Sequence, residues 1–300
     1  MANLGRLLTA VVTPFDGKGE VDLVQAKNLA LALLKSGSQG VVISGTTGES
    51  PTLNKEEKLR LFAEIKSAVG TEGVVVAGTG SNSTRESIDL TRKAEKVGVD
   101  AILLVVPYYN KPTQEGLFQH FKTIAESVSL PCILYNVPSR TVASLAVETV
   151  IRLSQIENIM GIKEASGNLE QVAKILQGTK KDFLVYSGND GDTLPILALG
   201  GYGVISVASH LVGNQIREMM GKFFSGKTGE AAQIHRELLP LINALFIVSN
   251  PIPIKHALNY IGFPVGKPRL PLTEADEKSR AMIEATLRNY RIDLPLKVPN

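Results

Sequence analysis

The chain has 300 residues, 44% of them hydrophobic, and its 32 Lys and Arg against 29 Asp and Glu give a net charge of +3. These charges are spread along the chain, which argues against nucleic-acid binding because that function needs a concentrated basic face. No stretch approaches ~18 uninterrupted apolar residues, and the N-terminus does not resemble a signal peptide, so we expect a soluble, cytoplasmic protein without a membrane partner. The single cysteine, Cys132, cannot form an internal disulfide, and its apolar neighbours indicate a small buried residue instead of a reactive thiol.

Eight short apolar runs predict buried parallel strands with amphipathic helical stretches between them. Several runs are apolar throughout instead of alternating, as in strands that are covered on both faces. The helix after the second strand is expected to begin at the cap Asn54 and end at Gly70, and the next to begin at Ser83 and end at Gly98. The predicted strands are residues 7–13, 40–45, 73–80, 101–108, 131–137, 159–166, 183–189 and 203–209.

Eight strand-helix units favour a (β/α)8 TIM barrel, which we place at residues 1–225. The alternative, a doubly wound sheet, would favour a glycine-rich phosphate loop, and the segment 78–83 does not complete the GxGxxG pattern. Residues 226–300 exceed the need of one barrel helix and predict a C-terminal helical extension packed on the barrel. Its helices are expected to break at prolines, namely Pro240, Pro251 to Pro253, and Pro264, Pro268 and Pro271.

Lys163 is the most informative residue because it stands alone in the apolar run 159–166. Burial disfavours a charged ammonium, and a neutral lysine amine can attack a carbonyl carbon to form a Schiff base. The alternatives are that its tip escapes to solvent or pairs with Glu164. If Lys163 faces the barrel interior, Gly161 and Ala165 share its side and leave room for a substrate, whereas Ile162 and Glu164 face the helices.

Polar residues collect where the predicted strands end, which is where barrel enzymes carry their active sites. On the fifth strand, alternation turns Tyr135 inward, toward the side of Lys163, where its hydroxyl can relay protons if Thr46 or Tyr109 supplies a second hydroxyl. Alternatively, Tyr135 is a core residue whose hydroxyl bonds to the backbone, and Thr46 and Thr47 only cap a turn.

Arg140 suits bidentate binding of a carboxylate, although an arginine in a loop is often just a surface cation. The segment 189–192 (Asn-Asp-Gly-Asp) resembles part of a calcium loop but lacks the remaining ligands, so we expect no metal site. The histidines show no ligand spacing and are expected on helices or at strand ends: His120, His210, His235 and His256.

Three segments together resemble one family, the pyruvate-dependent class I aldolases and lyases that include dihydrodipicolinate synthase and N-acetylneuraminate lyase. The resemblance runs from about residue 7 to at least residue 263. The segments fall in order on the second, fifth and sixth strands: Gly45-Thr46-Thr47-Gly48-Glu49, Tyr135-Asn136-Val137-Pro138 and Gly161-Ile162-Lys163-Glu164.

This resemblance implies a Schiff base between Lys163 and the keto carbon of pyruvate, with Tyr135 as the proton shuttle. The turn of Thr46 and Thr47 would bind the pyruvate carboxylate. Thr46 would also link Tyr135 to Tyr109, whose family counterpart reaches in from a neighbouring subunit. A homo-oligomer follows, commonly a dimer of dimers.

Further site positions follow from the same resemblance. Gly188 and Ile205 match residues whose backbone lines the site beside the bound intermediate. The resemblance implies neither a metal nor an organic cofactor, because the imine itself acts as the electron sink.

The run from Tyr135 to Thr141 resembles the dihydrodipicolinate synthase branch, in which Arg140 would meet the carboxylate of aspartate-semialdehyde. The implied reaction condenses pyruvate with L-aspartate-4-semialdehyde to 4-hydroxy-tetrahydrodipicolinate, on the diaminopimelate route to lysine. A sugar-acid lyase or 2-keto-3-deoxy acid aldolase on the same scaffold is the alternative, and Arg140 argues against it. A barrel that binds without catalysis is a third reading, but it should have lost Lys163, Tyr135 or Thr46.

Two departures from the family pattern concern a loop and an effector site. Val142 stands where the family usually has glycine, so the loop after the fifth strand is expected to take a different path. Lysine-sensitive members commonly have histidine at the positions of Lys55 and Lys58, and two cations here would repel a lysine effector, which predicts weak or absent inhibition. The matching effector positions are Ser50, Pro51, Lys55, Lys58, Asn82, Glu86 and Tyr108.

Overall fold

The computed structural model describes residues 4–295 and contains a closed barrel of eight parallel strands in chain order. All eight predicted strands are present, which confirms the (β/α)8 barrel. Each strand ends one to three residues before its predicted end, and in five of the eight strands apolar residues continue into the loop beyond the strand end. The strands are β1 (Leu7–Ala10), β2 (Gly40–Ile43), β3 (Val74–Gly78), β4 (Ala101–Val105), β5 (Cys132–Asn136), β6 (Ile159–Glu164), β7 (Leu184–Ser187) and β8 (Gly203–Ser206).

Twelve α-helices are assigned within residues 4–295, and the predicted boundary at residue 225 falls between the ninth and the tenth. No helix in this part of the chain is both long and apolar enough to cross a membrane. The helices are α1 (Leu23–Lys35), α2 (Lys55–Val69), α3 (Thr84–Val97), α4 (Gln114–Ala125), α5 (Pro138–Thr141), α6 (Val147–Leu153), α7 (Leu169–Gly178), α8 (Thr193–Ala198), α9 (Ser209–Phe224), α10 (Thr228–Ala244), α11 (Ile252–Tyr260) and α12 (Glu277–Leu287).

Contacts between residues group the chain into two compact units. The first consists of Val76–Ile205 together with the segment that ends at Arg6, and the second of Leu7–Val75 together with the chain from Ser206 onward. Lys163, Tyr135 and Arg140 belong to the first unit, whereas Thr46 and Thr47 belong to the second. Each unit therefore contains some of the predicted site residues.

The helix-facing sides of β4 to β7 form the apolar core of the first unit. Leu134 on β5 and Ile162 on β6 lie in one buried cluster with Phe121 of α4. Helices α6 and α7 complete this cluster with residues such as Val150 and Val172. This packing fixes which residues of β5 and β6 face the helices, and therefore which face the barrel interior.

A bulge in β6 shifts the inward and outward alternation of its side chains by one residue. Cys132 pairs with Ile159 but Ile133 pairs with Gly161, so Met160 is an extra residue in β6. Strict alternation would place Ile159 and Ile162 on opposite faces, yet both lie in the helix-facing cluster. Beyond the bulge the pairing is regular up to the carboxyl end of β6.

The helix boundaries that the sequence predicts for α2 and α3 are confirmed. Asn54 Oδ1 accepts a hydrogen bond from the Glu57 backbone N–H at 2.9 Å, and the Asn54 backbone N–H donates to Glu57 Oε2 at 2.8 Å, which forms a capping box. Ser83 caps α3, and Gly98 ends it in the left-handed conformation at φ 87°.

The prediction that Pro240 breaks a helix is wrong. Helix α10 runs through Pro240, and its residues Leu238, Leu241 and Ile242 are buried. Because α10 packs along α9, this burial offsets the hydrogen bond that a proline removes, a loss of about 3 kcal/mol or more in an unsupported helix. The other two breaks are confirmed, since α11 begins at Ile252 and α12 does not begin until Glu277.

All four histidines lie on helices, as expected, and three of them are buried. In His210, Nδ1 donates to the Val207 carbonyl at 2.8 Å and Nε2 accepts from the Val12 N–H at 3.3 Å, which requires the neutral ring. His120 Nδ1 lies 2.8 Å from Thr84 Oγ1. Burial lowers the pKa of both His120 and His210 to about 4.

We expect acid to destabilise the fold through these two histidines. Each binds a proton near pH 6.5 when unfolded but only near pH 4 when folded, so the folded state holds fewer protons between these values. The free energy of unfolding therefore falls as the pH falls through this window, by about 2 kcal/mol per histidine between pH 7.5 and 5.

Denaturant unfolding at pH 7.5 and 5 checks this prediction. The His120→Gln variant should lose about 2 kcal/mol less than the wild type between the two pH values. His256→Gln is the matched control, because His256 is only partly buried and pairs with Glu284 at 3.1 Å. An unchanged pH dependence in His120→Gln would contradict the assignment.

Candidate active site

The structure brings Lys163 and Tyr135 together. The two residues pair directly across β6 and β5, and Lys163 Nζ lies 4.4 Å from the centroid of the Tyr135 ring. Each residue is only 5% exposed. A primary amine and a phenol thus face the same small volume inside the barrel, as the strand alternation predicts.

Neither alternative for Lys163 describes this geometry. The side chain is buried, so its amine does not escape to solvent. Glu164 points the other way and accepts hydrogen bonds from Asn136 Nδ2 at 3.0 and 3.1 Å and from Gln171 Nε2 at 3.3 Å. Among residues 4–295, no carboxylate forms an ion pair with Lys163. The amine therefore faces an aromatic ring instead of a counter-ion.

A polar network behind the two strands supports this pair. Asn136 and Glu164 directly follow Tyr135 and Lys163, and burial raises the pKa of Glu164 while the bond from Asn136 opposes that rise. Asn136 Oδ1 also accepts from the Leu145 N–H at 3.1 Å, which ties the loop after α5 to the strand end. Sequence reasoning considered Glu164 only as a possible partner of Lys163 and gave Asn136 no role, although their places beside Tyr135 and Lys163 were a usable signal.

Gly161 serves close packing between β6 and β7, and its role in leaving room for a substrate stays a prediction. A Cβ atom at this position would lie 2.3 Å from the Leu184 carbonyl oxygen of β7. Gly188 is constrained in the same way, because a Cβ there would lie 2.6 Å from Ala165 Cβ. The Gly188 N–H donates to the Glu164 carbonyl at 2.7 Å, so the ends of β6 and β7 approach each other closely. Ile205 is buried on β8.

Arg140 lies exposed on the short helix α5, whose C-terminal residue is followed by a strained position. Val142 has φ 57° and ψ 10°, in the left-handed region that glycine favours, and is 69% exposed. Thr141 Oγ1, which donates to the Ala143 carbonyl at 2.7 Å, closes the turn. The loop thus keeps a backbone conformation suited to glycine although a β-branched residue occupies it.

The second unit contributes the turn of Thr46 and Thr47 at the carboxyl end of β2. The Glu49 N–H donates to the Thr46 carbonyl at 3.1 Å, which closes the turn. Thr47 is buried, and its Oγ1 accepts from Asn250 Nδ2 at 2.9 Å, whereas Thr46 is half-buried. Thr46 therefore has the more accessible hydroxyl of the two.

Tyr109 stands apart from the buried pair. It is 90% exposed and has φ 74°, in the loop between β4 and α4. The hydroxyl of Tyr135 forms no hydrogen bond within the described part of the chain. The relay through Thr46 and Tyr109 therefore remains a prediction.

Of the seven positions of the predicted effector site, three lie in the first unit and four in the second. In the first unit, Tyr108 lies beside Asn82 and Glu86, and burial, followed by the charge of Glu86, raises the pKa of its phenol. In the second unit, Ser50 opens a short 3₁₀ helix. Lys55 and Lys58 lie in the first turn of α2.

Cys132 and the possible metal ligands show no reactive arrangement. Cys132 is buried, as predicted, and burial together with the charge of Glu95 raises the pKa of its thiol to about 12. Within residues 4–295, no three His, Cys, Asp or Glu side chains converge as a metal site would require. In the segment 189–192, Asn189 Nδ2 donates to Asp192 at 2.9 Å, so these two side chains bind each other.

A buried lysine on the sixth strand that faces a tyrosine on the fifth places this protein among the barrels suited to Schiff-base chemistry with carbonyl compounds. The chain belongs to the Dihydrodipicolinate synthetase family, whose model matches residues 3–290. The resemblance predicted from the three segments is thereby confirmed.

Relatives and solved structures extend this result over the whole chain. A protein of Dehalococcoides mccartyi (strain CBDB1) named 4-hydroxy-tetrahydrodipicolinate synthase is 67% identical over 297 residues, which cover 99% of this chain and 100% of the relative. A dihydrodipicolinate synthase of Bacillus anthracis superimposes with a TM-score of 0.95 at 47% identity, over 97% of this chain and 100% of that one. A dihydrodipicolinate synthase of Cyanidioschyzon merolae, solved with lysine bound, gives a TM-score of 0.94 at 47% identity, over 96% and 98%.

We expect Val142→Gly to stabilise the protein. The left-handed conformation costs a residue with a Cβ atom about 1–2 kcal/mol, and the added chain entropy of glycine cancels less than about 1 kcal/mol of that relief. The free energy of unfolding, measured with denaturant, should rise by about 0.5–1 kcal/mol. Ala143→Gly is the control and should lower it. A loss in Val142→Gly equal to that of the control would refute the strain at this position.

Proposed function

We propose that this protein condenses pyruvate with L-aspartate-4-semialdehyde to give 4-hydroxy-tetrahydrodipicolinate through a Schiff base on Lys163. The observation that carries the proposal is the buried amine of Lys163, 4.4 Å from the Tyr135 ring and without a carboxylate partner among residues 4–295. Membership of the family and the name of the Dehalococcoides mccartyi relative support the choice of substrates.

The first half of the reaction forms a nucleophile from pyruvate. The amine of Lys163 attacks the keto carbon, and proton transfer through the Tyr135 hydroxyl lets the carbonyl oxygen leave as water. The resulting imine draws electrons from the adjacent methyl group, which loses a proton to become an enamine. No metal or organic cofactor is required, because the imine itself accepts the electron pair.

The second half forms the carbon–carbon bond and releases the enzyme. The enamine carbon attacks the aldehyde carbon of the semialdehyde, whose oxygen takes up a proton and remains as the hydroxyl of the product. The amine of the semialdehyde then attacks the imine carbon and displaces Lys163 as the ring closes. One water leaves in total, and the lysine amine is regenerated.

Other residues bind the substrates around this centre. Thr46 and Thr47 bind the pyruvate carboxylate with hydroxyl and backbone N–H groups, and the closed turn between Thr46 and Glu49 supports this role. Gly188 and Ile205 line the site with their backbone. Bidentate binding by Arg140 suits the carboxylate of the semialdehyde.

Tyr109 completes the proton relay from a neighbouring subunit. Its 90% exposure in a single chain is unusual for a tyrosine and supports a role at a subunit contact. The smallest complete catalytic unit is then a dimer, and the assembly is a dimer of dimers. A cytoplasmic location fits its single, buried and unpaired cysteine.

Lysine inhibition is expected to be weak or absent. The exposed or half-buried cations Lys55 and Lys58, on the first turn of α2, would repel a cationic effector at this position. Asn82, Glu86 and Tyr108, three of the positions that the resemblance assigns to a lysine site, are nevertheless present.

Covalent trapping tests the proposed function. Incubation with pyruvate and borohydride should reduce the imine to a stable adduct on the peptide that contains Lys163, detected by mass mapping. Lys163→Ala should abolish the adduct, whereas Lys174→Ala, at an exposed lysine of α7, should keep it. Tyr135→Phe should remain folded and lose ~10² to 10⁴-fold in turnover with the semialdehyde. An adduct on another lysine, or full activity of Tyr135→Phe, would overturn the assignment.

Arg140→Ala tests the choice of the second substrate. Loss of a bidentate carboxylate contact should raise the KM for aspartate-semialdehyde by about 10² while the KM for pyruvate changes by less than about threefold. Arg236→Ala, at an exposed position of α10, is the control. If Arg140→Ala leaves semialdehyde use unchanged, or if the wild type cleaves N-acetylneuraminate or 2-keto-3-deoxygluconate, a sugar-acid lyase is favoured instead.

A further inference from the structure

We infer that Lys255 and Glu49 are positioning residues that hold the turn of Thr46 and Thr47 in the shape that binds the pyruvate carboxylate. The inference rests on the proposed function and deepens it, because it assigns a part of pyruvate recognition to a helix far along the chain. All the residues involved belong to the second unit.

The two side chains form a fully buried ion pair. Lys255 Nζ lies 2.7 Å from Glu49 Oε1, and each side chain is 1% exposed. Lys255 also donates to the Lys267 carbonyl at 3.1 Å, and its Nζ lies 4.1 Å from the centroid of the Phe15 ring. Because removing either charge would leave the other buried and unpaired, the position of Glu49 is strongly constrained.

Glu49 directly ends the turn that carries the two threonines. Its φ of 56° lies in the left-handed region, which a residue with a side chain rarely adopts without support. Its backbone N–H donates to the Thr46 carbonyl at 3.1 Å, and Thr13 Oγ1 donates to the Gly48 carbonyl at 2.6 Å. An anchored Glu49 side chain therefore fixes the backbone of the whole turn.

The second oxygen of Glu49 is bound as well. Glu49 Oε2 accepts from the Arg269 N–H at 2.8 Å. The Arg269 guanidinium bonds Glu57 on α2 and lies 4.4 Å from the Phe15 ring, on which Lys255 also packs. Phe15 thus lies against both cations that surround Glu49. Among the described residues, the segment from Lys255 to Arg269 thus supplies both the ion pair and a backbone N–H bond to this carboxylate.

A second contact from the same part of the chain reaches the turn. Asn250 Nδ2 donates to Thr47 Oγ1 at 2.9 Å, and both residues are buried. This bond leaves the hydroxyl of Thr46 as the accessible one, and it occurs two residues before α11, the helix that carries Lys255. The segment from Asn250 to Lys255 therefore holds the turn at two points, the side chain of Thr47 and the side chain of Glu49.

Burial lowers the pKa of Lys255 to about 8, although the nearby charge of Glu49 opposes this effect. A buried pair of this kind adds little net stability, because desolvation of both charges offsets their attraction. Its benefit is a fixed conformation of the turn, which a stability measurement alone does not reveal.

Three variants separate positioning from simple stability. Lys255→Met keeps the length of the side chain against Phe15 but strands Glu49, and Glu49→Gln strands Lys255. The double variant Glu49→Gln/Lys255→Met removes both charges and should be more stable than either single variant. Lys267→Met is the matched control, because the Lys267 side chain is exposed and pairs with the exposed Glu274.

We expect the KM for pyruvate to rise about tenfold or more in the single variants and to stay raised in the double variant, although its thermal stability recovers. The KM for the semialdehyde, measured at saturating pyruvate, should stay within about twofold. Amide hydrogen exchange in residues 45–50 should be faster in all three variants than in the wild type and in Lys267→Met.

The outcomes that would overturn the inference differ from those that would overturn the proposed function. If the pyruvate KM of the double variant returns to the wild-type value together with its stability, the pair of Lys255 and Glu49 has only a structural role. Unchanged exchange in residues 45–50 would lead to the same conclusion. If the wild type itself forms no borohydride adduct with pyruvate, the proposed function fails first and the recognition role falls with it.

Discussion

The contact between Lys163 and Tyr135 is the constraint on which the rest of the first unit depends. It requires β5 and β6 to pair in one register, because a shift of either strand by one residue would turn the side chain of that strand toward the helices. The bulge at Met160 sets this register by letting Ile159 and Ile162 face the same apolar cluster. Packing behind the sheet thereby determines which functional groups meet inside it.

Buried polar groups next to the site residues fix its shape. Asn136 and Glu164 follow Tyr135 and Lys163 in the chain, face the helices and bind each other, so the strand ends cannot separate without leaving polar atoms unpaired. In the second unit, Glu49 follows the two threonines and is held by Lys255 and Arg269. In both units, a buried glutamate lies one or two positions beyond a residue that is proposed to touch substrate.

The sequence predicted the eight strands, the barrel and the boundaries of α2 and α3, because apolar runs, caps and glycine stops are local signals. It could not predict where the strands end, since apolar residues continue into the loops, nor the course of α10, because packing on α9 outweighs the local effect of Pro240. The reason for Gly161 was also hidden, since the Leu184 carbonyl that excludes a Cβ belongs to another strand. The pair of Glu49 and Lys255 joins residues 206 positions apart, and neither local pattern indicates the other.

The central claim is that one amine inside the barrel forms a covalent bond with a 2-oxoacid. A crystal structure of the protein soaked with pyruvate tests this claim most directly. We expect continuous electron density from Lys163 Nζ to the second carbon of pyruvate, with the carboxylate at the Thr46 and Thr47 turn. Pyruvate bound without a covalent link, or no pyruvate at Lys163 in crystals of active protein, would contradict the account.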